Sequence, residues 1–407
     1  MKKTLVAIAA LAAFGAQAQS SVSLTGNVDV GYRAISVGNN AQKDAKLITH
    51  NNASTSAIFF KAVEDLGGGT KANFFGEADF APSKNALQNS STTNNGFSYS
   101  GAFFNSEVYV GLNGALGDIK LGAPNSPALS AAGTSNPFGT ALGGGYSDTF
   151  GRLGTNGNVG INGYSGQATT ARIIRHERAV VYTTPTYSGF SGQYEVSFKN
   201  GNATGTTSSA TTDGTTYASN NNGLASLSLK YNQGPLNAMY YSGTLTGPAN
   251  QAAGTISSAG ALTANGITAN NKVKYNIAAA NYTVGAVTGY VGFTTTKSDQ
   301  TGTPSASITD KEDSKSSNYA VKYAATPTID LLFNRVTRTS NQATDLVRLP
   351  NGKATLTGLG ADYKLSKTSS VYYRYEKAAN VVVTGSGASS NTYGDQKIQA
   401  LGLRVAF

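Results

Sequence analysis

Apolar and polar residues alternate at a period of two through much of the chain, and the stretch from Ser54 to Phe80 shows the pattern most plainly. Ile58, Phe60 and Ala62 share one side of a strand, opposite Ala57, Phe59 and Lys61. A turn from Glu64 to Gly69 follows, with three consecutive glycines that accept positive φ at little steric cost. Beyond it Phe74, Gly76, Ala78 and Phe80 oppose Lys71, Asn73, Phe75, Glu77 and Asp79. One face of this hairpin is apolar or small and the other is charged. A soluble sandwich would bury the first face, whereas a transmembrane barrel would turn it to lipid and line a wet lumen with the second.

The connections decide between the two. Candidate strands lie near 22–37, 54–65, 70–81, 104–113, 117–124, 174–186, 190–199, 223–231, 236–245, 272–283, 286–297, 316–324, 328–338, 354–365, 369–380 and 396–407, which makes sixteen. Tight turns at Gly67–Gly69, Asn113–Leu116, Tyr187–Gly189, Asn232–Pro235, Val284–Gly285, Ala325–Pro327 and Lys364–Thr368 alternate strictly with long connections rich in Asn, Ser, Thr and Gly. Those are 38–53, 82–103, 125–173, 200–222, 246–271, 298–315, 339–353 and 381–395. Short turns at one end and long loops at the other predict an all-β fold, a 16-stranded antiparallel transmembrane β-barrel. A sandwich has no reason to keep its long loops at one end.

Side-chain parity agrees. Val22, Leu24, Val28, Val30 and Tyr32 share one face of the first strand, with Ser23, Thr25, Asn27, Asp29 and Arg33 on the other. In the last strand Leu401, Leu403, Val405 and Phe407 oppose Arg404. Tyr187, Tyr231, Tyr282, Tyr323 and Tyr363 fall at or just before short turns, as an aromatic girdle at a membrane interface requires. Tyrosine also favours strands for packing reasons alone. Its recurrence at five of the seven turns favours the girdle.

Composition narrows the compartment. Lys2 and Lys3, the apolar run Leu5 to Phe14 and the Ala16-Gln17-Ala18 site form a secretory signal peptide over 1–18, leaving 19–407 as the barrel domain. Removing it takes away two lysines and lowers the net charge from +10 to +8. Export makes nucleic acid an improbable partner for this basic chain. Zero cysteine excludes a disulfide framework and thiolate metal sites. The 48 glycines and 22 tyrosines suit a closed sheet with many turns.

At this point particular residues resemble a family. The run Glu64 to Phe74, EDLGGGTKANF, and FNSEVYVGLNGALGDIKLG from Phe104 to Gly122 are similar to the general porins of Gram-negative bacteria, in the form common in beta-proteobacteria. Arg175 to Gly192, RHERAVVYTTPTYSGFSG, extends the likeness, and the terminal Phe407 resembles the porin signal read by the outer-membrane assembly machinery. The resemblance implies a homotrimer in the Gram-negative outer membrane, in contact with its lipid and lipopolysaccharide, passing small polar solutes and ions. It also implies that the third long loop, 125–173, with NPFG at Asn136–Gly139 and YSDTFGR at Tyr146–Arg152, folds into the lumen as the constriction; loops of this length are usually functional or disordered.

Arg175 matches a constriction arginine, and parity sets it on the lumen side if Val180 and Tyr182 face lipid. Three other arginine positions of the family are held by Ala57, Ser106 and Ala123, and Phe59 adds bulk where the family has glycine. Candidates for the pore lining are therefore Arg175, Lys61, Arg33, Glu77, Asp79, Asp148, Arg152, Arg172 and Arg374, with Ala57 and Phe59 marking the departure. A weak anion preference is expected. The alternative is a substrate-specific channel with a modified constriction.

Catalysis has little to work with. His50 and His176, both expected at the solvent surface, are the only histidines, and no nucleophile motif is present. Gly67 to Lys71 lacks the P-loop spacing and a following helix. Asp310 to Asp313 reads as a solvated loop. No cofactor or metal is expected, and an enzyme or adhesin is the disfavoured reading.

Overall fold

A computed structural model describes residues 20–37, 45–83, 86–87, 92–93, 96–97, 103–139, 141–143, 175–176, 178–198, 223–246, 272–299, 313–340, 353–384 and 392–407. The expected leader, and Asp148, Arg152 and Arg172 of the third long loop, lie outside these residues. Sixteen wall strands form one antiparallel barrel. They are β1 (Ser21–Val37), β2 in two pieces (Ala45–His50 and Ala57–Gly67), β3 (Thr70–Ala81), β4 (Val108–Gly114), β5 (Gly117–Ala123), β6 (Ala179–Thr183) and β7 (Phe190–Ser197). There follow β8 (Gly223–Gln233), β9 (Leu236–Thr246), β10 (Lys272–Val284), β11 (Val287–Asp299), β12 (Asp313–Ala324), β13 (Ile329–Ser340), β14 (Lys353–Lys364), β15 (Ser369–Thr384) and β16 (Thr392–Ala406). Each strand pairs with its sequence neighbours, and β16 returns to β1 in a register running from Asn27 opposite Ala406 to Val37 opposite Gln396. Closure leaves no free edge, so every wall strand has its backbone groups paired on both sides.

Exposure alternates with parity as a barrel demands. Val22, Leu24, Val110, Leu112, Leu227, Leu229, Phe293, Phe333, Leu401 and Leu403 stand exposed on the outer face. Asp29, Glu195, Asn334, Arg338, Arg374 and Glu376 lie buried on the inner one. Tyr187, Tyr282, Tyr323 and Tyr363 are exposed beside their turns, while Tyr231 packs on Phe190 with ring centroids 4.6 Å apart. The outer face also carries a cluster in which Phe60, Phe74 and Phe103 each pack edge-on against Phe104.

The structure departs from the sequence expectations most in four places. The connection 38–53 is not all loop, because Ala45–His50 pairs with the upper half of β1 before the lower half takes Ala57–Val63. Between the two pieces the chain tucks onto Asp29, whose carboxylate accepts hydrogen bonds from the backbone of Ala53 and Ser54 at 2.5 and 2.7 Å. The strand expected over 174–186 shortens to Ala179–Thr183, since Arg178 adopts φ +58° and leaves Arg175 in a single bridge to Asn125. A helix, α1 (Pro127–Thr134), stands where only loop was expected. Last, His176 is buried at 3% exposure instead of lying at the surface.

Helix α1 forms where a good start meets a small-residue run. Ser126 caps it, accepting from the Ala128 N–H, and Pro127 supplies the preset φ of the first turn. After Thr134 the hydroxyl of Ser135 and the amide of Asn136 both donate to the Ala132 carbonyl, which closes the helix.

Candidate functional site: the inner wall and the segment against it

Residues 125–143 follow the inner-facing side chains of the wall from strand to strand. At the start, the Ser126 hydroxyl that caps α1 donates to the buried Glu195 carboxylate at 2.6 Å, and Ser226 of β8 donates to the same oxygen at 3.1 Å. Next, Ala128 and Ala131 of α1 pack on Leu224, Met239, Tyr241, Leu245, Tyr275 and Ile277, an apolar patch on the face opposite the exposed belt. Burying those wall residues under small helical side chains removes apolar area from water, about 25 cal/mol per Å². Asn281 and Asn318 then donate to the carbonyls of Thr134 and Ser135 at 2.9 and 2.5 Å.

Farther along, the segment lies so close to the wall that side chains have no room. A Cβ on Gly292 would stand 2.6 Å from that of Ser135, and one on Gly358 would collide with the Gly143 carbonyl. Phe138 reaches the guanidinium of Arg374, 5.7 Å from its ring centre. Leu142 packs on Ile398, Ala400 and Ile35, while its N–H donates to the Asn52 carbonyl at 3.1 Å and that of Gly143 to Glu376 at 3.0 Å.

Two groups of charged residues flank this path. In the first, Arg374 of β15 is buried against Asp362, with Nη2 2.8 and 3.1 Å from the two carboxylate oxygens, and lies 5.4 Å from the Tyr372 ring. The Tyr372 hydroxyl donates to Asp29 and accepts from Asn52 at 3.2 Å. Asn52 in turn accepts from Arg33 at 2.8 Å. Arg33 and Arg374, far apart in sequence, are thus joined through Asn52 and Tyr372, neither of which the sequence singled out.

In the second group Arg175 places Nε and Nη2 3.0 and 2.7 Å from Asn125 Oδ1, at the point where the long segment leaves β5. Its charge acts on Glu77 and Glu107, with Asp79 opposing it at Glu77. Glu107 in turn accepts from Asn125 N–H and its amide at 2.9 and 2.6 Å. Arg175, Glu77 and Asp79 come together as charged neighbours, and Glu107 and Asn125 complete the group. The signal for them was available, since both lie at the ends of strands facing one another across β4 and β5.

The remaining candidates take separate places. Ala57 lies on the inner face at 0% exposure, paired between Asn27 and Asp79. Ser106 is buried, with its N–H on the Glu77 carbonyl at 3.3 Å. Phe59 stacks on Phe75 with centroids 6.1 Å apart, and Lys61 is exposed opposite Phe75. His50 shares a hydrogen bond with Ser83 at 2.6 Å. Burial without charge partners holds the His176 imidazole neutral, its pKa lowered to about 4. Among the described residues no group of three or more His, Cys, Asp or Glu side chains is placed to hold a metal ion.

Residues 4–381 match the family of Gram-negative porins. The chain belongs to that family. This porin is 32% identical to outer membrane porin protein 32 of Delftia acidovorans over 236 residues, 56% of the chain and 59% of that protein. It is 29% identical to an outer membrane porin protein of Bordetella pertussis over 275 residues, 63% of either chain. The chain therefore spans about three fifths of the length of the curated relatives it matches. An anion-selective porin from Comamonas acidovorans shares the fold with a TM-score of 0.69 at 20% identity, over 96% of this chain and 100% of that one. The porin is a protein of the Gram-negative outer membrane, and its relatives are channels rather than enzymes.

Proposed function

We propose that this porin is a water-filled channel for passive diffusion of small hydrophilic solutes and ions across the outer membrane. One observation carries the reading: a closed wall with an apolar outer face and an inner face on which the charged side chains of Lys61 and Lys322 reach solvent. Only a wet lumen solvates such an interior at membrane depth. The long connection 125–173 narrows the lumen, a role favoured by the contacts of its first nineteen residues with β7 to β12, β14 to β16 and the link between the two pieces of β2. Arg175, Lys61, Arg33, Glu77, Asp79 and Arg374 line or support the narrow region, together with Asp148, Arg152 and Arg172. Selectivity is weakly anionic, in keeping with the net positive chain and with its similarity in fold to the anion-selective Comamonas porin.

Residues 1–18 direct export, Phe407 presents the assembly signal, and the mature barrel works as a homotrimer within lipid and lipopolysaccharide. The exposed Phe103 and Leu24 on the outer face near β1 to β4 suit a protomer contact. Purified protein in planar bilayers should give discrete, ohmic conductance steps in groups of three. A bilayer that stays silent at all protein levels would overturn the channel.

A further inference from the structure

Three aromatic rings climb the inner face of three adjacent strands. Phe59 of β2 stacks on Phe75 of β3 with centroids 6.1 Å apart and planes at 27°, and Phe75 on Tyr109 of β4 at 5.6 Å and 20°. Lys120 of β5 ends the series, its ammonium 4.6 Å from the Tyr109 ring centre. These spacings are those of offset stacks, which leave part of each face free. All three rings are half-buried. Gly122, directly opposite Tyr109, carries no side chain that would cover the ring, and the Asn73 side chain fills the space over Gly111.

Polar groups of both signs border the series. Glu77 stands opposite Phe59 and Lys61 opposite Phe75. Glu107 lies two residues before Tyr109, and Asn73 two before Phe75. Cross-strand aromatic pairs stabilise sheets in general, but that role needs neither half-exposed faces on the wet side nor a border that both donates and accepts. Asp118 lies 3.8 Å from Lys120, and Arg175 acts on Glu77 and Glu107 beside Asp79, so neither sign of charge dominates and the site favours a neutral solute with hydroxyls at its rim and a flat apolar face.

We propose that Phe59, Phe75 and Tyr109 form a stacking track for neutral sugars in pyranose form, whose C–H faces slide from ring to ring while their hydroxyls meet Glu77, Glu107, Lys61, Asn73 and Lys120. The track starts beside the Arg175 group and leads toward the short turns, since Phe75 and Tyr109 lie nearer those turns than Glu77 and Glu107 do. It rests on the channel reading and sharpens it, making the porin a sugar-preferring channel.

The test reads ion current in molar KCl while maltotriose is added on one side. The unmutated channel should show a saturable block. In Phe75→Ala the half-blocking concentration should rise about tenfold, the worth of one aromatic contact, and Phe75→Tyr should restore it. Should Phe75→Ala fail to assemble, Phe59→Leu, which keeps bulk at the end of the track, should weaken the block in the same sense. Normal KCl conductance with no sugar block, equal block in the alanine and tyrosine variants, or block by benzoate and not by maltotriose would each overturn the track and leave the channel reading standing. Absence of any conductance would overturn the channel itself.

Discussion

The ring of Phe407 lies on Gly26. Their backbones exchange two hydrogen bonds of 2.9 Å, and a Cβ at Gly26 would stand 2.7 Å from Phe407 Cζ and 2.7 Å from the Ala57 carbonyl. Phe407 thus adds a side-chain contact to the β1–β16 pairing, at a glycine of β1 that gives its ring room. Any side chain at 26 meets backbone on one side and the terminal ring on the other.

Gly26→Val should therefore lower the yield of heat-modifiable, membrane-inserted barrel, at a cost of about 1–3 kcal/mol as for an overpacked core. Deleting Phe407 should reduce insertion as well, with synthesis unchanged. Electrophoretic mobility of unheated samples reports both, and wild-type folded fractions in either variant would refute the closure role.

A second expectation follows from the close approach at Gly358. Gly358→Val has no space beside the Gly143 carbonyl, so it should push the segment off β14 while the wall, whose strand pairing does not involve Gly143, still forms. Single-channel conductance should rise, and liposomes should admit larger sugars. An unchanged size cutoff in a folded variant would show that the segment does not narrow the lumen.

Much of the wall was legible in the sequence because a membrane strand writes its environment into every second residue. The turns at Gly67–Gly69 and Lys364–Thr368 fell where glycine or short polar runs required them. The segment against the inner wall was legible only in part. Helix α1 spans eight residues, too few for a periodic signal, and its Ala128 and Ala131 gain meaning only from Tyr241 and Ile277 beneath them. The partnership of Asn52 with Tyr372 joins positions 320 residues apart, and no local pattern records it. Ala57, singled out for a missing arginine, is the inner-face neighbour of Phe59, and the aromatic series occupies the wall there.

Acid should weaken the fold through His176. Its pKa is near 6.5 in the unfolded chain and about 4 when buried, so above pH 6.5 the group has no effect. As pH falls toward 4 the unfolded chain binds a proton that the folded one refuses, and stability drops by about 3 kcal/mol. The melting temperature in detergent should fall between pH 7 and 4.5, and His176→Leu should flatten that dependence. Equal slopes in the two proteins would remove His176 as the cause.

Charge at Arg175 gives a fourth measurement. An anion passing about 4 Å away gains roughly 1 kcal/mol in bulk-like water and up to about 4 kcal/mol at an effective dielectric near 20. Arg175→Ala would leave Glu77 and Glu107 without that cation, so zero-current potentials across a KCl gradient should shift toward cations. The shift should fade as the Debye length shrinks from about 10 Å at 0.1 M to about 3 Å at 1 M salt. An unaltered potential at low salt would place Arg175 outside the ion path.

The contacts of residues 126–143 also tie together distant parts of the wall. Glu195, Tyr275, Asn318, Glu376, Ile398 and Asn52 come from positions spread along nearly the whole chain. No partly built wall offers the segment more than a fraction of its partners. It therefore gains its full set of contacts only in the closed barrel, where β16 meets β1. The segment thus works as an internal brace, and a change at any one of these partners acts on wall strands far from it in sequence.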